Sequence, residues 1–95
     1  MQSKNSSDLK IYNVVVLPKA LDDLSKLDRT ISKRIVDRIE WLSEHIESIA
    51  PLPLKSKLSG FFKLRVGDWR VIYETDHKQK TLFIHKIGHR REIYQ

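Results

Sequence analysis

The sequence predicts an α+β domain: two N-terminal helices on one face of a mostly antiparallel four-stranded sheet, in the order β-α-α-β-β-β. Three observations carry this reading. Apolar residues recur every three or four positions from Ala20 to Ile46, then every second position after Phe61. Turn signals at Gly67-Asp68 and at 76–79 cut the second half into short strands. A β-branched run stands directly before Pro18.

Residues 1–11 show no apolar period and are expected to be a flexible lead-in. Residues 12–95 then form one domain, which is all that 95 residues allow. Residues 12–17 make the first strand. Pro18 suits the first turn of a helix, where its missing N–H is not needed. Ala20, Leu21, Leu24 and Leu27 give that helix an apolar stripe ending near Asp28. Asp28 or Thr30 can cap a second helix, striped by Ile31, Ile35, Ile39, Leu42 and Ile46. Its other face mixes Lys33, Arg34, Asp37, Arg38, Glu40 and Glu44, and reads as a solvated surface with no assigned function. Pro51-Leu52-Pro53 stops the helix. Residues 54–60 connect to a strand over 61–66, with Phe62, Leu64 and Val66 on one side and Lys63 and Arg65 on the other. Strands follow at 69–74 and 81–89, and residues 90–95 form a short basic tail.

The net charge of +6 at pH 7 lies wholly in the second half. Residues 1–50 hold 8 Lys/Arg and 8 Asp/Glu, whereas residues 51–95 hold 10 and 4. Such asymmetry points to a polyanion, most often nucleic acid. The chain has no cysteine. That excludes a disulfide-stapled scaffold, thiolate zinc sites and thiol catalysis. No carboxylate pair or His cluster has metal spacing, so no metal or cofactor is expected. No apolar run approaches the roughly 18 residues of a membrane span. Residues 1–10 lack a signal-peptide core, and the expected compartment is the cytoplasm.

The chemistry-bearing residues are the cations of the strand region: Lys55, Lys57, Lys63, Arg65, Arg70, Lys86, Arg90 and Arg91. Alternation puts Lys63 and Arg65 on one face, and the Gly67-Asp68 turn returns Arg70 beside them. Like charges in a sheet cost stability unless an anion sits there. One such side chain alone is a solvated charge. Three converging on one face can fix a phosphate and stabilise charge added in a transition state. His89, Arg90 and Tyr94 form a second cluster, able to exchange protons, bind an anion or stack on a base. His45, His77 and His85 read as structural or exposed.

Lys57-Leu58-Ser59-Gly60, the run Phe62-Lys63-Leu64-Arg65-Val66-Gly67-Asp68-Trp69-Arg70-Val71-Ile72-Tyr73 and the ending Gly88-His89-Arg90-Arg91-Glu92-Ile93-Tyr94 resemble the RelE branch of the RelE/ParE toxin superfamily. The resemblance covers about residues 12–95. It implies the toxin half of a type II toxin–antitoxin pair, and a ribosome-dependent endoribonuclease that cuts mRNA in the A site without a metal. The RNA 2′-hydroxyl would attack the adjacent phosphate. By this resemblance Arg70 and Arg65 hold the scissile phosphate, and Tyr94 or Lys63 takes the 2′-OH proton. His89 or Arg90 serves the leaving oxygen, with His89 favoured because arginine stays charged. Lys55, Lys57, Lys86 and Arg91 would touch RNA or ribosome.

The implied partners are an acidic RelB-like antitoxin, in a toxin–antitoxin hetero-oligomer, with ribosome and mRNA and without a membrane. Two other readings compete. A ParE-like gyrase inhibitor shares the fold but typically lacks the Arg-plus-Tyr ending. A non-catalytic RNA-binding module would need exposed stacking aromatics, and Trp69 and Tyr73 are candidates for the core instead.

Overall fold

The computed structural model describes residues 11–49, 52–53 and 60–93. The lead-in to residue 10, most of the connector, and Lys55, Lys57 and Tyr94 lie outside the described residues. The first strand is β1 (Asn13–Val16), followed by α1 (Pro18–Ser25), α2 (Arg29–His45) and a 3-10 turn (Ile46–Ser48). Then come β2 (Leu52–Pro53), β3 (Phe62–Val66), β4 (Trp69–Asp76), β5 (Thr81–His89) and a terminal helical turn, α3 (Arg90–Ile93). The expected two helices and four strands are present. The two-residue β2 adds a fifth strand at one edge, in the order β1-β5-β4-β3-β2.

The antiparallel meander β3-β4-β5 follows the predicted turns. Gly67 supplies φ +60° at the first of them, a conformation side chains resist. β1 lies parallel to β5, Asn13 opposite Thr81 and Val16 opposite Ile84. Pairing continues as Leu17 N–H donates to the Ile84 carbonyl at 3.0 Å. Beyond that point, among the described residues, β5 has no strand on its β1 side. There the Asp23 carboxylate of α1 accepts from Ile87 N–H at 2.9 Å. A helix side chain thus satisfies a donor that the short β1 leaves open.

α2 begins at Asp28, whose Oδ1 accepts from Ile31 N–H at 3.0 Å, so Asp28 rather than Thr30 is its cap. The helix ends at His45, before Pro51. The chain tightens through Ile46–Ser48 and turns extended at Ile49. The predicted stripe holds: Ile35, Ile39, Leu42 and Ile46 are buried against Leu64, Val66, Val71, Tyr73, Leu82 and Ile84. Trp41, off the stripe, stacks on His45 with ring centroids 4.5 Å apart and packs on the core margin.

At the far end of the sheet a polar knot ties β1 to the β4–β5 turn. Tyr12 is buried, its hydroxyl donating to Glu47 Oε2 at 3.1 Å and lying 2.7 Å from His77 Nδ1. Lys80 Nζ donates to the same carboxylate at 2.9 Å. Desolvation, and then Glu47, raise the Tyr12 pKa above 10.0. Among the described residues no helix is long and apolar enough to cross a membrane.

Candidate functional site

Strand alternation and register assemble the cations. Leu64 and Val66 of β3 turn inward, so Lys63 and Arg65 fall on the outer face, away from the helices. Arg65 stands directly opposite Arg70, and Ile72 lies between Lys63 and Lys86 in register. Lys63, Arg65, Arg70 and Lys86 therefore share one sheet face, as alternation predicts for the first three. Opposed like charges in a sheet disfavour the fold by about 0.2–1 kcal/mol.

Arg70 is held in place by its own turn. Its Nη1 donates to the carbonyls of Gly67 at 2.9 Å and Trp69 at 2.8 Å. Its Nε is buried and has no partner among the described residues. A buried donor without a partner costs about 1–3 kcal/mol, which an anionic acceptor would recover. The same turn reaches the chain's end: Arg90 N–H donates to the Asp68 carbonyl at 2.8 Å, and Arg90 Nε lies 3.8 Å from the Asp68 carboxylate.

The outer face is not wholly open. Ile93 of α3 is buried against Ile72, with Phe61 packed alongside, forming a small second core. Gly88, the neighbour of Arg70 on β5, makes this possible. A Cβ at position 88 would lie 3.1 Å from Ile93 Cδ1. The predicted tail is therefore a helical turn folded over the cationic face, with Arg90 and Arg91 exposed on it. The pattern carried a signal for this: Ile72 interrupts the polar outward positions Arg70 and Glu74.

His89 stands apart from these cations. It pairs with Trp69, whose neighbours in register turn to the helix side. Its ring meets the Trp69 ring edge-on at 5.5 Å. Alternation thus puts His89 at the end of the sheet, on the face opposite Arg70. Its Nδ1 accepts from Arg91 N–H at 3.1 Å, so a neutral ring carries its proton on Nε2. The other histidines are engaged: His45 Nδ1 with the Trp41 carbonyl at 2.8 Å, His85 Nε2 with Glu74 at 3.0 Å, and His77 with Tyr12. Tyr73 is 1% exposed, and burial pushes its pKa up to about 12. Trp69 packs on the main core. Among the described residues, no group of three or more His, Cys, Asp or Glu side chains could hold a metal ion.

Residues 14–94 match the family described as the ParE toxin of the type II toxin–antitoxin system parDE. The chain belongs to the RelE/ParE toxin superfamily. It is 37% identical over 85 residues to Toxin RelG of Mycobacterium tuberculosis, covering 88% of this chain and 97% of that protein. A solved toxin–antitoxin complex, RelBE2 of M. tuberculosis, matches at 30% identity with a TM-score of 0.77, covering 86% of this chain and 94% of that one. Isolated E. coli RelE superposes with a TM-score of 0.69 over 87% of this chain and 90% of its own, and at 18% identity shows the shared fold alone. The chain is thus a RelE-like toxin of a type II toxin–antitoxin system. The cationic outer face and α3 both lie inside the matched region.

Proposed function

We propose that this toxin is a metal-independent endoribonuclease that cuts mRNA in the ribosomal A site. The observation that carries the reading is the direct opposition of Arg65 and Arg70, with Lys63 and Lys86 on the same face. Guanidinium pairs bind phosphate oxygens with forked, charge-assisted hydrogen bonds. In the proposed reaction the RNA 2′-oxygen bonds to phosphorus and the bond to the 5′-oxygen breaks. The products are a 2′,3′-cyclic phosphate and a 5′-hydroxyl end. Arg65 and Arg70 hold the phosphate and stabilise its growing charge. Tyr94 or Lys63 takes the 2′-OH proton. Arg90, whose N–H is bonded to the Asp68 carbonyl in the turn that also holds Arg70, supplies positive charge at the departing oxygen, which takes its proton from water. His89 lies on the opposite face and takes no part in this step.

RelBE2 is a toxin–antitoxin complex, and the basic half of this chain suits an acidic RelB-like antitoxin in the same way. Lys55, Lys57, Lys86 and Arg91 would contact RNA or ribosome, which puts the protein in the cytoplasm. The deciding experiment is primer extension on programmed ribosomes with wild type, Arg70→Ala and Tyr94→Phe. Undiminished cleavage by both variants sinks the site.

One observation favours a second reading, a gyrase poison: the matched family bears the ParE description. Broken DNA with intact mRNA after induction would establish it. The burial of Tyr73 and the packing of Trp69 speak against a passive binder that stacks bases on them.

A further inference from the structure

We infer that a second RNA-phosphate subsite lies on the helix side of the β3 edge, in a cleft walled by arginines of α2. This cleft, about 340 Å³, is lined by Arg34, Asp37, Arg38, Arg65, Val66 and Gly67. Among the described residues β2 pairs with β3 only at Phe62 and Lys63. α2 lines the cleft beside β3 with Arg34 and Arg38, one turn apart.

Both helix arginines are positioned. Arg34 Nη2 would be 3.2 Å from a Cβ at Gly67, so its guanidinium rests against the β3–β4 turn. The Arg38 guanidinium carbon lies 4.4 Å from the Trp41 ring centroid, a cation–π contact that orients the fork. The carboxylate in the wall, Asp37, is already shared with Lys33 at 3.3 Å. Neither Arg34, Arg38 nor Arg65 has an ion pair or hydrogen bond with a carboxylate among the described residues. Three arginines line this cleft against a single carboxylate that is itself paired with Lys33, so the cleft carries net positive charge and attracts an anion.

Phosphate of a nucleic acid fits better than the side chain of an acidic peptide because of Arg65. That residue borders the cleft and also stands opposite Arg70 on the outer face. A polyanion held at Arg65 and Arg70 therefore has a path round the edge onto Arg34 and Arg38. The subsite grips backbone and reads no base, so it adds affinity uniformly across sequences. It rests on the proposal that RNA is the ligand of the outer face.

The test uses the full chain and a fluorescein-labelled 15-nucleotide 2′-O-methyl oligouridine, which lacks the attacking hydroxyl. Binding is followed by anisotropy across a KCl series. The R34Q/R38Q double variant should bind more weakly, and its slope of log K against log salt should be shallower by about 1.4, from roughly 0.7 per single-strand phosphate contact. The R34K/R38K variant should recover that slope. An unchanged slope in R34Q/R38Q overturns the inference, as does loss of poly-L-glutamate binding with oligouridine binding intact. Cleavage on ribosomes separates the two proposals. A wild type that shows the cleft's salt signature but cuts no mRNA removes the ribonuclease reading and leaves the cleft. A wild type that cuts mRNA while R34Q/R38Q keeps the full slope removes the cleft alone.

Discussion

Ile93 rests on Gly88, close enough that a methyl group at position 88 would lie 3.1 Å from the isoleucine δ-carbon. This contact sets where the terminal turn, and so Arg90 and Arg91, lie relative to Arg70. Gly88→Val should push α3 off the sheet and lower RNA cleavage at least tenfold, while most of the fold survives. Ile93→Ala should do the same with a stability loss of about 2 kcal/mol, at the low end for a truncated buried isoleucine. Urea denaturation beside primer extension checks both. Full cleavage by Gly88→Val would separate the turn from function.

Arg70 binds its own turn with one nitrogen and leaves another buried and unpartnered. Arg70→Ala should lower cleavage by about 10²-fold or more, the usual cost of removing a preorganised charge-stabilising donor. Arg70→Lys keeps the charge but loses the fork, and should recover only a small part of the rate. Stability should change by less than about 1 kcal/mol, because the two lost hydrogen bonds offset relief of the Arg65 repulsion and of the buried, unpartnered Nε. Single-turnover cleavage and urea midpoints measure the two effects.

His89→Gln should leave cleavage within about threefold of wild type, because His89 lies on the face opposite Arg70. A loss of about 10²-fold, the usual cost of removing a general acid, would bring the imidazole into the leaving-group step.

Asp23 links α1 to the open edge of β5 through Ile87 N–H. Asp23→Ala leaves that donor without its acceptor and should cost about 1–3 kcal/mol, read as a lower urea midpoint at unchanged slope. Asp23→Asn, which keeps an acceptor oxygen, should cost less.

Alkaline pH should unfold the protein through its buried tyrosines. Burial raises the Tyr12 pKa above 10.0, and that of Tyr73 to about 12. The folded state therefore favours the neutral phenols. Their contribution to stability is complete below pH 10, the unfolded value, and disappears as pH rises through the folded values. Absorbance titration of tyrosinate should show two phenols ionising late, and stability should decline between about pH 10 and 12. Tyr12→Phe should lower stability at neutral pH and flatten the early part of that decline.

The helices and the meander were legible because each obeys a local rule. The stripe through Ile35, Ile39 and Leu42 has the helical period, and Lys63 to Val66 alternates about a strand. The opposition of Arg65 and Arg70 followed from the two-residue turn between their strands. What stayed hidden depends on long-range packing. Nothing local to Val14–Val16 says that they pair in parallel with β5. His89 was grouped with Arg90 by nearness in sequence, but alternation sends it to the other face. The arginines of α2 read as solvated charge because their meeting with Gly67 and Arg65 is a tertiary event. Ile72 and Ile93 signalled their contact only as two apolar residues out of pattern.

The parallel pairing of β1 with β5 also sets a schedule. Asn13 has no strand partner until Thr81 has been made, so the helical half waits while the meander emerges. α3 can find Gly88 and Ile72 only after that. The cationic face is thus completed only after the strand that closes the sheet has been made, and until then its like charges stand on an open meander that holds no helix in place.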